Sequence, residues 1–189
     1  MFIIKNKYFF IIQSIKDIEL KNIKNFTKFN IIYRNNTSED FEKLKRFRLH
    51  CKTKRISFFV ANDIKLMRLI KADGLYISAY NKDFNLNRFK NQKYKIIGSA
   101  HNQKEINIKS KQGCAEVLFS RIFKTSYIDK MDFLGIIKFN LIARSNKMPL
   151  VALGGINTQN LKKLKTVKCN SIALSSEIKN KNYINRNFY

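Results

Sequence analysis

Several short apolar runs of this sequence end in a polar residue that could take part in chemistry. These residues are Arg34, Asn62, Asp63, Ser99, His101 and Thr125. An arginine binds phosphate oxygens through several N–H donors, and Asn, Ser and Thr side chains add single hydrogen bonds. A carboxylate is an oxygen ligand that Mg²⁺ accepts, although Asp63 would equally serve as the first-turn acid of a helix. If the fold brings these ends together, they predict a site for anionic groups, with Mg²⁺ at Asp63.

His101 admits two interpretations. A histidine side chain could carry a proton in catalysis. The residue also stands where an amphipathic segment begins after an apolar run, so it could be a polar residue at a helix start. The sequence leaves both interpretations open.

Two adjacent glycines stand out in a chain that has only six. Gly154 and Gly155 follow the apolar run Leu150–Leu153, in the segment ALGGIN. Without Cβ atoms, the backbone approaches a ligand closely and directs N–H groups at it. Ser175 and Ser176 follow the next apolar run in the same way. We expect these two loops to bind phosphate; the alternative is a tight turn that binds no ligand.

Eight apolar runs alternate with amphipathic segments, which is typical of strands buried on both faces of a parallel sheet. The runs are Tyr8–Ile12, Asn30–Tyr33, Ser57–Val60, Leu75–Ile77, Lys95–Ile97, Glu116–Phe119, Leu150–Leu153 and Ser171–Leu174. The predicted helices are Ser38–Cys51, Asp63–Lys71, His101–Gln112, Leu134–Ser145 and Thr158–Lys165. This order predicts an α/β protein with one domain over residues 1–189, a (β/α)₈ barrel, with a doubly wound open sheet as the alternative. In such a barrel the carboxyl ends of the strands form the catalytic face, and the loops after strands seven and eight commonly bind phosphate.

The net charge of +25, from 38 Lys and Arg against 13 Asp and Glu, would suit a nucleic-acid binder. The basic residues are spread over the whole chain, however, and form no block of like charges. Asn, Ile, Phe and Tyr are abundant as well, whereas Pro occurs once and Trp is absent, as an AT-rich genome would produce. We therefore expect no nucleic-acid partner, and a basic surface that steers phosphates inward.

No apolar run approaches the roughly 20 residues that span a bilayer. The N-terminal segment is interrupted by Lys and Asn and has no small-residue cleavage site for a signal peptidase. We expect no membrane partner and a cytoplasmic location. Cys51, Cys114 and Cys169 are too far apart to predict a disulfide framework or a zinc site.

Several segments together resemble the thiamine phosphate synthase/TenI family, closest to its divergent alphaproteobacterial synthases. They are VANDIKLMRLIKADGLYIS, IIGSAHNQKE, GCAEVLFSRIFKT, PLVALGGINTQNLKKL and SIALSSEI. The likeness runs from about Tyr8 to Ile178, and all six glycines fall where the family keeps glycines. It implies a (β/α)₈ barrel and a Mg²⁺-dependent transferase of thiamine biosynthesis. That enzyme joins hydroxymethylpyrimidine pyrophosphate to thiazole phosphate and releases pyrophosphate. Its partners would be phosphorylated small molecules, and a homodimer is left open.

The resemblance also implies roles for individual residues of the pyrophosphate half. Arg34 and Asn62 would contact the pyrophosphate, and Asp63 would bind Mg²⁺. Ser99 and Thr125 fall at positions of the pyrophosphate-binding loops.

The thiazole phosphate pocket would consist of Gly155, Ser175 and Ser176, which bind through their N–H groups, with Gly154 beside them.

Several departures from the family pattern weaken the pyrophosphate half. Ser78 and Ala79 replace a Gly-Gln pair, and the loop KTSYIDK keeps Thr125 but loses the family's lysine in register, for which Lys124 or Lys130 could substitute. Asn36 stands where synthases keep a lysine, and Asn81 stands where they keep a second Mg²⁺-binding aspartate. The alternatives are a TenI-like thiazole phosphate tautomerase with His101 as proton carrier, and a binder of thiazole or thiamine phosphate without catalysis.

Overall fold

The computed structural model describes residues 5–23, 26–34, 39–91, 94–125 and 132–175, in which eight parallel strands close into a barrel. Each strand pairs with the next along the chain, and the eighth pairs back to the first, Phe10 opposite Leu174. The strands are β1 Lys7–Ile12, β2 Phe29–Tyr33, β3 Ser57–Ala61, β4 Gly74–Ile77, β5 Lys95–Ala100, β6 Glu116–Ser120, β7 Leu150–Leu153 and β8 Ser171–Leu174. The predicted barrel is confirmed, and the open sheet is excluded.

Four crossovers between strands contain an α-helix. These helices are α1 Phe41–Thr53, α2 Ile64–Leu69, α3 Gln103–Lys111 and α4 Gly135–Ser145. Three of these helices begin at a side-chain cap, because Asp40, Asp63 and Asn102 accept hydrogen bonds from backbone N–H groups of the first turn. The described connections between β1 and β2, β4 and β5, and β7 and β8 contain only short 3₁₀ helices.

The helix predicted over Thr158–Lys165 is wrong, because the chain forms a 3₁₀ helix at Leu161–Thr166 instead. Two asparagine side chains explain the difference. The amide oxygen of Asn157 accepts from the N–H groups of Gln159 and Asn160, at 3.0 and 3.1 Å, and the Asn160 amide oxygen accepts from Asn157 N–H at 2.9 Å. Such local bonds satisfy the backbone without a helical turn. The double glycine is therefore not followed by the N-terminus of an α-helix.

The barrel interior is filled by inward-facing side chains from all eight strands. They are Phe9, Ile11, Ile32, Phe59, Tyr76, Ile97, Leu118, Val151 and Ala173. A larger apolar cluster packs between the outside of the barrel and the surrounding helices. This filled interior forms a closed floor beneath the carboxyl ends of the strands, as is usual for such barrels. Within the described residues, no helix is long and apolar enough to cross a membrane.

The interior packing predicts a large difference between two Leu→Ala substitutions. Leu118 is fully buried inside the barrel, whereas Leu141 on α4 is 61% exposed. Leu118→Ala leaves a cavity and should lower the free energy of unfolding by about 2–5 kcal/mol. Leu141→Ala should change it by less than about 0.5 kcal/mol. Urea unfolding measures both, and equal losses would contradict the placement of Leu118 in the core.

Candidate active site

A cavity of about 470 Å³ opens at the carboxyl ends of the strands. Seven of the residues predicted from sequence line it together: Arg34, Ser99, His101, Thr125, Gly154, Gly155 and Ser175. They come from the ends of β2, β5, β6, β7 and β8 and from the loops that follow. The fold thus brings these residues to one opening, as the sequence predicted. Ser176 and Asn36 lie outside the described residues.

The charge in this cavity is positive. Arg34, Arg121 and Lys124 line it, and no Asp or Glu is among the described lining residues. The guanidinium of Arg121 donates two hydrogen bonds to the backbone oxygen of Asp132, from Nε at 3.1 Å and from a terminal nitrogen at 2.7 Å. Arg34 and Lys124 form no ion pair with any described carboxylate. Cations without nearby carboxylates favour an anionic ligand.

The two adjacent glycines form the wall next to Arg121 and Lys124, since a Cβ atom on Gly154 would lie 2.9 Å from Cγ of Arg121. Both have left-handed backbone angles, with φ of +98° at Gly154 and +68° at Gly155. A Cβ atom on Gly155 would lie 2.3 Å from the backbone oxygen of Lys124 and 2.6 Å from that of Phe123. Glycine is therefore required because the loop after β6 packs directly on this turn. Within the described residues, the N–H groups of Gly154 and Gly155 donate to no backbone or side-chain acceptor.

Tyr76 forms part of the cavity floor, and its place there was not predicted from the sequence. Its side chain is buried and lies close enough to the side chain of Ser99 to influence its pKa. Burial raises the pKa of Tyr76, although the Ser99 side chain and the charge of Arg34 act in the opposite direction. The phenol is therefore neutral at physiological pH and can both donate and accept a hydrogen bond. The short apolar run Leu75–Ile77 gave no signal that distinguished this tyrosine from core.

His101 and Tyr80 lie at the rim. The Nδ1 atom of His101 is 3.1 Å from a carboxylate oxygen of Glu105, and the His101 N–H donates to the same oxygen at 2.6 Å. In the tautomer that carries its proton on Nδ1, the imidazole donates this hydrogen bond to the Glu105 carboxylate, and Nε2 is the nitrogen that can accept a proton. The exposed ring of Tyr80 lies 6.2 Å from the imidazole, between ring centroids.

Asn62 and Asp63 do not line the cavity. The amide oxygen of Asn62 accepts from Ser78 N–H at 3.0 Å, so Asn62 supports the loop after β4 from outside. The carboxylate of Asp63 caps α2 by accepting from Leu66 N–H at 2.8 Å. Of the two interpretations open for Asp63, this contact supports the helix cap. Its role as a metal ligand stays a prediction.

Asn81 serves as an anchor for the loop that carries Tyr80. Its amide oxygen accepts from Asp83 N–H at 2.9 Å and from the Gln112 side chain at 3.1 Å. Its backbone oxygen accepts from Nζ of Lys109 at 2.8 Å. Lys109 is fully buried, and desolvation lowers its pKa. A buried lysine on α3 could not be foreseen, because its position in sequence is that of an ordinary polar helix residue.

The described residues do not assemble the predicted Mg²⁺ ligands into one site. Asp63 is used as a helix cap, and the amide oxygen of Asn81 already accepts two hydrogen bonds. Across the described ranges, no three His, Cys, Asp or Glu side chains come together as a metal site would require. No carboxylate among them faces the cavity in which the sequence predicted the ion.

A family model described as thiamine monophosphate synthase matches residues 21–178. The thiamine-phosphate synthase of Pelagibacter ubique is 31% identical over 146 residues, which cover 74% of this chain and 68% of that protein. The thiamine-phosphate synthase of Prochlorococcus marinus strain SARG is 30% identical over 129 residues, which cover 68% of this chain and 37% of that protein. The chain thus spans little more than a third of the length of this second relative.

Solved structures share the fold. Thiamine phosphate pyrophosphorylase from Pyrococcus furiosus superposes with a TM-score of 0.76 at 19% identity, over 97% of this chain and 91% of that one. KGPDC from Streptococcus mutans superposes with a TM-score of 0.66 at 9% identity, over 96% of this chain and 93% of that one. At such identities the likeness shows the barrel alone.

The close approach at the double glycine predicts a selective loss of stability. Gly155→Ala adds a Cβ against two backbone oxygens, whereas Gly135→Ala adds one at a similar φ of +69° with nothing within 4 Å. Both substitutions should lose about 1–2 kcal/mol from the left-handed backbone. Gly155→Ala should lose a further 1–3 kcal/mol, roughly, from overpacking. Urea unfolding of the two variants measures the difference. Equal losses would show that the loops are not in contact.

Proposed function

Because the chain belongs to the thiamine monophosphate synthase family, we propose that it is a thiamine phosphate synthase. It would join hydroxymethylpyrimidine pyrophosphate to thiazole phosphate and release pyrophosphate. The observation that carries this proposal is the cavity at the carboxyl face, which is lined by three cations and a glycine turn and has no Asp or Glu among its described lining residues. Two anionic substrates that react with each other need such a shared positive cavity.

The two halves of the cavity suit the two substrates. The N–H groups of Gly154 and Gly155, with Ser175 beside them, suit the single phosphate of the thiazole substrate. The family resemblance assigns Arg34, Ser99 and Thr125 to the pyrophosphate, which needs more charge neutralisation than a single phosphate. With the anions bound in this way, the thiazole nitrogen and the pyrimidine methylene carbon would lie between them.

The proposed reaction needs little acid–base chemistry. The bond between the pyrimidine methylene carbon and the pyrophosphate oxygen breaks, and both electrons leave with the pyrophosphate. The thiazole nitrogen then donates its lone pair to the pyrimidine cation. The cationic side chains stabilise the charge that develops on the leaving group, and the phosphate sites hold the two reactants in line. The neutral ring of Tyr76 lies at the floor and could stabilise a nearby cation through its π face.

A second candidate function is favoured by the pairing of His101 with Glu105. A thiazole phosphate tautomerase needs a phosphate site and a proton carrier but no pyrophosphate site. His101 lines the same cavity as the glycine turn, so Nε2 could move a proton on a ligand held there.

Two further proposals concern the partners of the protein and its location. We propose that the excess of basic residues steers anionic substrates to the cavity and binds no nucleic acid. Retention of DNA at moderate salt would contradict this. We further propose that the protein acts in the cytoplasm without a membrane partner, and a homodimer stays open as its assembly.

An end-point assay with both substrates and Mg²⁺, read by mass spectrometry, should detect thiamine phosphate. Arg34→Gln should lower kcat/KM by roughly 10²–10³-fold, because it removes a charged donor from the developing pyrophosphate. Arg144→Gln is the matched control, since Arg144 is an exposed residue of α4 outside the cavity. Its kcat/KM should equal that of the wild type.

The two functions give different results in this assay. No thiamine phosphate, together with isomerisation of thiazole phosphate that is lost in His101→Gln, would overturn the synthase and establish the tautomerase. Binding of thiazole phosphate with neither reaction would leave a phosphate-ligand binder.

A further inference from the structure

An exposed aromatic side chain borders the mouth of the cavity. It belongs to the loop after β4, of which three consecutive residues, Ser78, Ala79 and Tyr80, line the cavity. Tyr80 is 81% exposed, and its ring forms a tilted pair with the ring of His101, with an angle of 35° between the two planes. Tyr80 can therefore contact a ligand that extends from the cavity towards this rim.

Two fully buried polar side chains from α3 and its C-terminal end hold this loop in place. The ammonium of Lys109 donates to the backbone oxygen of Asn81 at 2.8 Å and to the side-chain oxygen of Gln112 at 2.9 Å. The amide nitrogen of Gln112 donates to the side-chain oxygen of Asn81 at 3.1 Å and to the backbone oxygen of Asp83 at 3.0 Å. Lys109 forms no ion pair with any described carboxylate. A buried charge of this kind is costly unless its hydrogen bonds are made, so the loop and the lysine depend on each other.

Strand β5 makes room for the lysine. A Cβ atom on Gly98 would lie 2.9 Å from Cδ of Lys109 and 3.0 Å from its Cγ, so the aliphatic part of the side chain packs directly on the strand. The ammonium thus reaches the loop after β4 from the interior of the protein. A side chain on a loop held in this way loses little conformational freedom when a ligand binds, which favours affinity.

The lining of the cavity indicates a ligand with an organic part. The volume is about 470 Å³, and apolar side chains line the cavity together with the cations, among them Leu153, Ile156 and Leu174. Cavities of about 300–1,000 Å³ with apolar walls and a few polar groups typically bind small organic molecules. At the rim, the exposed ring of Tyr80 is suited to contact a flat aromatic group, because aromatic rings pair through their faces and edges.

We infer that Tyr80 is a specificity-determining residue that stacks on the planar heteroaromatic ring of a phosphorylated ligand, and that Lys109 and Gln112 are positioning residues that hold it at the rim. The inference rests on the proposed function, in which both substrates carry such a ring. The cations and the glycine turn bind the anionic group, whereas Tyr80 distinguishes an aromatic phosphate from an inorganic one. Lys109 and Gln112 act through the loop, since neither is among the described residues that line the cavity.

Calorimetry with two pairs of ligands tests the role of Tyr80. Thiazole phosphate is compared with inorganic phosphate, and hydroxymethylpyrimidine pyrophosphate with inorganic pyrophosphate. Tyr80→Ala should weaken the binding of at least one ring-bearing ligand by about fivefold or more, because it removes an aromatic stacking contact. The ligand that is weakened identifies the ring at Tyr80. The two inorganic anions should bind as they do to the wild type, and Tyr80→Phe should keep the wild-type affinities.

Phe84→Ala is the matched control, since Phe84 is an exposed aromatic residue outside the cavity. It should bind all four ligands as the wild type does. Equal weakening of a ring-bearing ligand and its inorganic counterpart in Tyr80→Ala would overturn the inference. Unchanged affinity of that variant for both ring-bearing ligands would overturn it as well.

A double-mutant cycle tests the role of Lys109. Lys109→Met keeps the apolar stem of the side chain and removes the ammonium. It should weaken the same ring-bearing ligand by about threefold or more and leave the inorganic anions unchanged. In the Tyr80→Ala background it should cause no further loss, because residues that act through one another are not additive. Additive losses, or a loss shared by the inorganic anions, would show a merely structural role and overturn the positioning.

Asn81→Ala keeps the test decisive if Lys109→Met does not fold. It removes the half-buried amide oxygen that Gln112 and Asp83 contact, and it leaves Lys109 its backbone acceptor. We expect the same ring-selective loss, again with no further effect in the Tyr80→Ala background. Wild-type affinity for both ring-bearing ligands would overturn the positioning of Tyr80 by this network.

The synthase assay distinguishes the failure of this inference from the failure of the proposed function. A ring-selective loss in Tyr80→Ala supports the inference, and it does so even where the wild type forms no thiamine phosphate and the synthase is overturned. Thiamine phosphate formed by the wild type, with both ring-bearing ligands bound normally by Tyr80→Ala, overturns the inference and leaves the synthase standing.

Discussion

The cavity depends on the contact between the turn after β7 and the loop after β6. Gly155 has no Cβ, and any side chain there would meet the backbone oxygens of Phe123 and Lys124. The contact sets the N–H groups of one loop beside the cations of the other. A cavity lined from both loops needs this close packing, which explains two adjacent glycines in a chain that otherwise avoids them. The same glycines are thus required by the packing and, in the proposed function, by the bound phosphate.

The cavity is positively charged because the described Asp and Glu side chains lie elsewhere in the fold. The chain has 13 Asp and Glu residues, and the described ones serve the fold or the outer surface. Asp40 and Asp63 cap helices, and Asp73 pairs with Arg48 at 2.8 Å. Glu116 pairs with Lys95, and Glu105 holds His101 at the rim. The described cations of the cavity therefore keep their charge for a ligand, which is how a basic protein can present a specific anion site.

The barrel was predictable because its strands are buried on both faces. Each strand therefore appears in the sequence as a short run of apolar residues. Residues at strand ends were predictable as a group, since parallel strands point their carboxyl ends at one face. Individual side chains were not. Asn62 and Asp63 follow β3 directly, yet one supports the next loop and the other caps α2. Sequence position alone does not separate a cap from a ligand, because both need the same short polar side chain.

Other residues were missed for equally physical reasons. Tyr76 points from β4 into the barrel. Nothing in its neighbouring sequence indicates that its side chain lies near that of Ser99. Arg121 follows directly on the apolar run of β6, and only the fold shows that it faces the cavity. The helix predicted after β7 does not form, because the Asn157 and Asn160 side chains form local hydrogen bonds with the backbone. The apolar periodicity of the segment does not reveal such bonds.

The most direct test of the central claim is a crystal structure of the protein with thiazole phosphate and pyrophosphate bound together. We predict that the thiazole phosphate binds to the N–H groups of Gly154 and Gly155. We predict the pyrophosphate against Arg34, Ser99 and Thr125. Anions bound away from the carboxyl face would contradict this assignment.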